Sequence, residues 1–399
     1  MTTITDHYDA YPYPARDPAD EATRLVTGSP SRPVEMDHML WGGQRDWARP
    51  LKALVAGGGS GDGLVQLAQL LTDAGRPYEI TYLDLSPGAR KVAEARVAAR
   101  GLTGITFHTG SLLDAPDYGT FDYIDCCGVL HHLPEPAAGF AALARAVAPG
   151  GGLGFMVYAP HGRSGVYPLQ EAFGAVLDGL PPKARVARAR DILARVPEGH
   201  PFKRNTRVVD HESGDAGFYD LLLHSQDRAY DVGALLDVLG ATGWELMSFC
   251  QPALYDPAPI LGAPCDLPSA AAMAVAEKLR GTLKMHVGYA APAGSGRRVA
   301  TGRTLALVPH LGVPPGKLAQ VVAAGKPVPV TSEGERVRLE VPREAAPLIA
   351  AVDGRRRLSE IAGRTGLDPI RFGAVWETVE AAFGPWGLLH YSGLRRDRA

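Results

Sequence analysis

With 399 residues, 46% of them hydrophobic and 21% charged, the chain has the make-up of a globular protein of two domains or one decorated domain. A formal net charge of −2 excludes a general polyanion binder and leaves only local basic patches. Four cysteines, with Cys126 and Cys127 adjacent, exclude a disulfide framework and a C-x-x-C metal site. The first residues lack the basic and apolar regions of a secretory leader, and no run reaches the roughly 18 apolar residues of a membrane span, so a cytoplasmic protein with no membrane partner is expected.

Residues 1–50 are rich in Tyr, Pro and Asp and read as an ordered N-terminal arm or cap. Beyond them strand and helix signals alternate. Strands are predicted over 52–56, 79–83, 106–108, 123–126 and 153–158, and helices over 63–74, 87–100 (with Ser86 as N-cap) and 137–147. That order predicts a doubly wound, mainly parallel sheet with helices on both faces and a ligand site beyond the strands' carboxyl ends. Residues 161–225, with a basic helix over 183–195, interrupt the alternation as an insertion able to cover such a site. A helix at 232–241, a strand at 245–250, a helix at 269–279 and a strand at 284–290 complete a domain spanning 51–313. Pro and Gly clusters make 314–330 a linker, and three short helices with a final strand make 331–399 a small winged-helix-like domain.

The chemistry is concentrated in the loops after the strands. The first strand breaks into Gly57-Gly58-Gly59-Ser60-Gly61, where bare backbone and free helix-start amides can meet a cofactor. Its spacing is not that of a dinucleotide fingerprint, which would need a third glycine at Asp62 or Leu64. Asp84, at a strand end 23 positions after Gly61, offers a carboxylate to the two hydroxyls of a ribose. Then come Thr109-Gly110-Ser111-Leu112-Leu113-Asp114, the segment Phe121-Asp122-Tyr123-Ile124-Asp125-Cys126-Cys127-Gly128-Val129-Leu130-His131-His132-Leu133-Pro134, and a helix ending in Pro149-Gly150-Gly151.

In this order the segments resemble the motif series of the class I S-adenosylmethionine (SAM) methyltransferases, of the bacterial small-molecule, methyltransferase type 11/12-like kind. The resemblance is firm over about 51–158 and looser over 226–292. It implies a Rossmann-like α/β fold with a lid insertion, SAM as cofactor, and a transferase that methylates its acceptor by in-line displacement. It assigns the cofactor to Gly57, Gly59, Gly61, Asp84, Leu85, Ser111, Leu112, Cys127 and His132. Two departures stand out. The family usually has an Asp at the place of Ser111, so adenine recognition passes to Ser111 Oγ or to backbone. Many members carry an acid two residues before the first glycine, where this chain has Val55; Asp62 or an acid of the N-terminal arm is expected to replace it.

The fold supplies no fixed base, so one is sought in the cover. His224 is the best base by residue type, with Asp227 and Tyr230 to orient it or the substrate. Tyr11 and Tyr13 of the arm, and Arg163 and Tyr167 after the strand ending at Tyr158, are the substrate-side candidates. No metal is expected, because adjacent histidines diverge and no third ligand stands at a familiar spacing. A small-molecule acceptor is the first reading of the partner. Two others stay open: a SAM-binding regulator that has lost catalysis, and a nucleic-acid or peptide modifier that binds through the arginines at 355–357. A homodimer through the C-terminal domain is compatible with all three.

Overall fold

The computed structural model describes residues 16–394. Tyr11 and Tyr13, expected on the substrate side, lie outside the described residues. Seven strands form the central sheet: β1 (Leu51–Ala56), β2 (Tyr78–Asp84), β3 (Ile105–Thr109), β4 (Phe121–Cys127), β5 (Val147–Tyr158), β6 (Trp244–Phe249) and β7 (Met285–Pro292). Their order is β3-β2-β1-β4-β5-β7-β6, with β7 antiparallel to both neighbours and the other pairs parallel. The chain reverses direction across the sheet between β1 and β4, which is where an open α/β sheet leaves a crevice at its carboxyl edge.

The alternation within β1 explains the layers. Ala53 and Val55 face one core with Leu64, Leu67 and Leu71 of helix α2 (Asp62–Asp73). Leu54 and Ala56 face the other, with Phe140 and Leu143 of α4 (Pro136–Ala146). A parallel strand covered on both sides must be apolar throughout, and β1 is, apart from Lys52. Between these helices α3 (Pro87–Ala99) starts as expected, with the Ser86 hydroxyl accepting from the Ala89 amide and Pro87 in its first turn. One expected turn is absent: Pro149–Gly151 lies within β5, whose pairing with β4 shifts register between Phe121 and Tyr123.

The insertion folds into α5 (Val166–Val176), α6 (Pro182–Arg195) and α7 (Gly214–Leu223), around a core of its own that includes Phe173, Phe202, Phe218 and Leu222. Helices α8 (Val232–Ala241) and α9 (Ser269–Arg280) then return the chain to the sheet.

The expected linker is folded. Residues 315–323 form helix α10 (Pro315–Ala323), which buries Leu318 and Val322, and 328–339 form a hairpin, β9 (Val328–Ser332) with β10 (Glu335–Leu339). Pro314 and Pro315 sit at the helix start, Gly325 follows its end and Pro329 lies within β9, so the Pro and Gly signals mark element boundaries and an edge strand rather than a linker. The C-terminal unit also begins before 313, because β8 (Val308–Leu311) pairs with the last strand β11 (Leu389–Ser392). Helices α11 (Ala346–Ala350), α12 (Leu358–Thr365) and α13 (Pro369–Phe383) complete its core.

This unit is sewn to the N-terminal helix α1 (Pro33–Leu40). The fully buried Asp37 carboxylate accepts from the Ser392 hydroxyl, the Gly393 amide, the Trp47 indole and the Arg45 amide at 2.6–3.0 Å. The Tyr391 amide donates to His38 Nδ1 at 3.0 Å.

Candidate functional site

A cavity of about 810 Å³ opens at the carboxyl edge of β1, β2, β4 and β5. The glycine loop forms its floor. Gly59 has φ +51° and a Cβ there would project into open space, so this residue keeps both the turn and the cavity clear. The loop is locked from behind. The Gly59 amide donates to Asp84 Oδ2 at 2.7 Å, and the Tyr82 hydroxyl donates to the Gly59 carbonyl at 2.6 Å. Asp84 Oδ1 accepts from the Ser86 amide at 2.8 Å, and burial raises this carboxyl above its ordinary range against both hydrogen bonds. Of the nine residues expected at the cofactor, Gly57, Gly59, Asp84, Leu85, Ser111, Leu112, Cys127 and His132 line the cavity. Gly61 does not; at φ +93° it caps α2 and packs against Ala93.

The arm lies across the loop. Buried Gln66 uses both ends of its amide on it, accepting from the Gly28 amide at 2.8 Å and donating to the Ser29 carbonyl at 2.9 Å. The Pro30 carbonyl accepts from the hydroxyls of Tyr123 and Tyr289. Glu21 pairs with Arg96 and Arg100, and Arg96 reaches on to Asp62. Arg16 chelates the same Asp62. Burial works to raise this carboxyl, but the two arginines hold it below its ordinary range. Asp62, expected to replace an acid at Val55, lines the cavity with its charge already matched by Arg16 and Arg96.

On the opposite wall stands His132. Its Nδ1 lies 2.9 Å from the Gln226 carbonyl, which fixes the proton on Nδ1 and makes Nε2 the lone-pair nitrogen. Burial lowers its pKa, with Asp227 and the Gln226 carbonyl pulling the other way. His224 stacks on the ring at 4.0 Å, and the more deeply buried His131 packs against both His132 and Tyr158 at 4.1 Å.

The residues expected to be catalytic or substrate-binding form the layer behind this wall. His224, Asp227, Tyr230, Arg163 and Tyr167 do not line the cavity. Arg163 lies 3.7 Å over the Tyr158 ring and bonds Tyr167 and Asp227, while Gln170 also donates to Asp227. Tyr230 belongs to the main core. Atoms of His131, His132 and Asp227 come within 4.8 Å of one another. Arg163 pairs with the Asp227 carboxylate, the Gln226 carbonyl occupies one nitrogen of His132, and His131 packs on the His132 ring.

Several lining residues had no separate signal in the sequence. Ser29 depends on where the arm folds, and Ala216 and Asp220 on where α7 packs. Asp125 and Tyr158 lay within recognisable strands, and Asp125 stood out only as an acid in an apolar run. In the C-terminal unit, the amides of Arg355 and Arg356 donate to Asp353, Arg356 pairs with that carboxylate, and Arg357 is the N-cap of α12. The arginine triplet thus closes a turn, away from the cavity.

Residues 54–153 match the family model described as a methyltransferase domain. An uncharacterized protein of Synechococcus sp. is 33% identical over 262 residues, which is 64% of this chain and 61% of that protein. The ubiquinone biosynthesis O-methyltransferase of Thiobacillus denitrificans is 36% identical over 98 residues, 23% of this chain and 39% of that one. The chain therefore matches less than two thirds of the length of each of these relatives. The structure of PKMT2 from Rickettsia typhi superposes with a TM-score of 0.62 at 15% identity, covering 94% of this chain and 76% of that one, and so shares the fold. Its complex with AdoHcy gives 0.60 at 12% identity, over 93% and 76% of the two chains. With the motif loops lining one cavity at the switch point of a 3-2-1-4-5-7-6 sheet, and the matched segment running from β1 into β5, residues 54–153 carry a SAM-dependent methyltransferase domain of class I fold.

Proposed function

We propose that this chain methylates a small-molecule acceptor whose nucleophilic oxygen or nitrogen carries a proton, with His132 as the general base. The observation that carries the reading is the hydrogen bond from His132 Nδ1 to the Gln226 carbonyl, in a wall that faces the glycine loop and Asp84 across one cavity. At about 810 Å³ the cavity lies in the upper part of the range of small-molecule sites, roughly 300–1,000 Å³, which suits a nucleoside cofactor beside a small acceptor.

The residues fit the group the family uses. Asp84 faces the cavity, and its two oxygens, each accepting one backbone amide, keep acceptor capacity for the ribose hydroxyls, while the glycine loop lets the ligand reach backbone amides. When bound, SAM supplies an electrophilic methyl group open to in-line displacement. The chain must then hold the acceptor in line, exclude water and take its proton. His132 is buried and neutral, with Nε2 as the acceptor nitrogen, and its ring is fixed by Gln226 and the His224 stack. Met156, Tyr158 and the α7 residues Ala216 and Asp220 supply the remaining wall and suit an acceptor with an apolar body and a polar end. The ubiquinone-pathway relative supports oxygen as the acceptor atom, within the 98 residues the two chains share.

Calorimetric titration with SAM and S-adenosylhomocysteine, followed by an assay for S-adenosylhomocysteine release with a panel of phenols, catechols and carboxylic acids, tests the proposal. Asp84→Ala and Gly59→Val should each weaken SAM binding at least about tenfold, the scale of a lost charge-assisted hydrogen bond or a filled site. Unchanged affinity in both would overturn the cofactor reading. Tight binding without turnover on any acceptor would favour a SAM-binding regulator.

A further inference from the structure

Four carboxylates line the cavity, and Asp125 differs from Asp62 and Asp84 in what holds it. Asp62 is matched by two arginines, and Asp84 spends its oxygens on the amides of Gly59 and Ser86. Asp125, 1% exposed, has only neutral donors: the hydroxyls of Ser29 and Ser31 donate to Oδ2 at 2.6 and 2.5 Å. Its Oδ1 has no hydrogen-bond partner among the described residues. A buried carboxylate with an unused oxygen and no cation is costly, and is relieved by a proton or by a ligand that supplies the positive charge.

Its place in the sheet says which charge. Asp125 on β4 is the register partner of Val55 on β1, the position where a carboxylate is missing from the glycine-loop strand. In a parallel pair, register partners carry their side chains on the same face, so the charge absent from β1 reappears one strand over. The neighbourhood is built around it. A Cβ on Gly63 would overlap Oδ2 of Asp125, so only glycine fits at that point of α2. The two serines come from the arm segment that Gln66, Tyr123 and Tyr289 pin down.

Resting on the SAM reading above, we infer that Asp125, oriented by Ser29 and Ser31, is the counter-charge for the ammonium group of the cofactor's amino-acid tail. The arm would then complete the cofactor site, and the ligand's cation would satisfy the acid that Ser29 and Ser31 leave half-bonded.

The test is a ligand-by-variant cycle read by calorimetry. The ligands are S-adenosylhomocysteine and its analogue with hydrogen in place of the amino group; the proteins are the full chain and Asp125→Asn. The wild-type chain should prefer the ammonium-bearing ligand by about 10- to 100-fold, as for a charge-assisted bond in a buried site. In Asp125→Asn that preference should fall to within about threefold, with the des-amino ligand binding as before. A wild-type chain that binds both ligands equally, or a preference that survives in Asp125→Asn, would overturn the assignment while leaving the cofactor reading intact. A wild-type chain that binds neither ligand would overturn both. The wild-type comparison needs no variant, so it decides even if Asp125→Asn folds poorly.

Discussion

His131 and His132 are neighbours in sequence with different fates, and the difference is made by what each ring nitrogen meets. His132 reaches the cavity with one nitrogen bound to the Gln226 carbonyl; both ring nitrogens of His131 are buried without a hydrogen-bond partner among the described residues. Burial lowers the pKa of both, so each is neutral at pH 7. The base form of His132 should therefore persist as pH falls through 6.5, and any acid limb of turnover should lie below that value. A ¹⁵N-edited NMR titration checks this without an acceptor: the signals should report an Nδ1–H tautomer with a midpoint below 6.5. A midpoint at or above 6.5 would argue against a buried base. Once an acceptor is found, His132→Ala should lower kcat by roughly 10²–10⁴-fold, the usual worth of a positioned base. A segment of the form Leu-His-His-Leu announces a site from sequence. It does not say which ring faces it, because that depends on a carbonyl 94 residues away.

At the scale of elements, the cover acts as a unit. Helices α5, α6 and α7 share a core separate from those on the two faces of the sheet, and α7 sends Ala216 and Asp220 into the cavity. A cover with its own core can loosen without unfolding the sheet. Phe218 is 1% exposed in that core, with Arg190 4.3 Å over its ring. Phe218→Ala should cost about 3–5 kcal/mol, concentrated in the cover. Hydrogen exchange should speed up across 166–223 while β1, β2 and β4 keep their protection and S-adenosylhomocysteine still binds. Loss of protection throughout the sheet would mean that the cover is not an independent unit. The break in βα alternation read from the sequence falls where α5, α6 and α7 lie. Periodicity gave no warning that the expected catalytic residues at its end, His224 and Asp227, would support the wall from behind.

For the molecule as a whole, the seam between α1 and β11 joins the two ends of the chain, and it depends on neutral histidine. His38 Nδ1 must stay unprotonated to accept from the Tyr391 amide, and burial, reinforced by His390, holds its pKa down to about 3. An unfolded histidine titrates near 6.5, so between these values the unfolded chain binds a proton that the folded chain does not. Stability from His38 is thus complete above pH 6.5 and is lost as pH falls towards 3. His390, also lowered by burial, adds in the same direction. The Asp37 carboxyl at the same seam is raised by burial and works the other way, but only in the carboxylate range. Melting curves should therefore weaken steadily below pH 6.5. His38→Gln should reduce that slope by about 1.4 kcal/mol per pH unit, the value for one proton. A slope unchanged by the substitution would show that this seam does not govern acid stability.

The sequence by itself determined the sheet, the order of its motif loops and much of the lining of the cavity, because these follow from local rules: apolar runs, glycine spacing and caps act over a few residues at a time. Glycine-loop residues and Asp84 could be named before any fold was seen, since the strand that carries each also aims it. What only the tertiary structure decided are the pairings between distant segments. The arm brings Ser29 and Ser31 to an acid 96 and 94 residues away. Gln226 selects one histidine of an adjacent pair, and β11 closes on α1 across 353 residues. Burial and partner geometry, which no single stretch of sequence contains, decide those contacts; they also set Asp125 beside Val55 on the neighbouring strand, the placement from which its proposed role is argued.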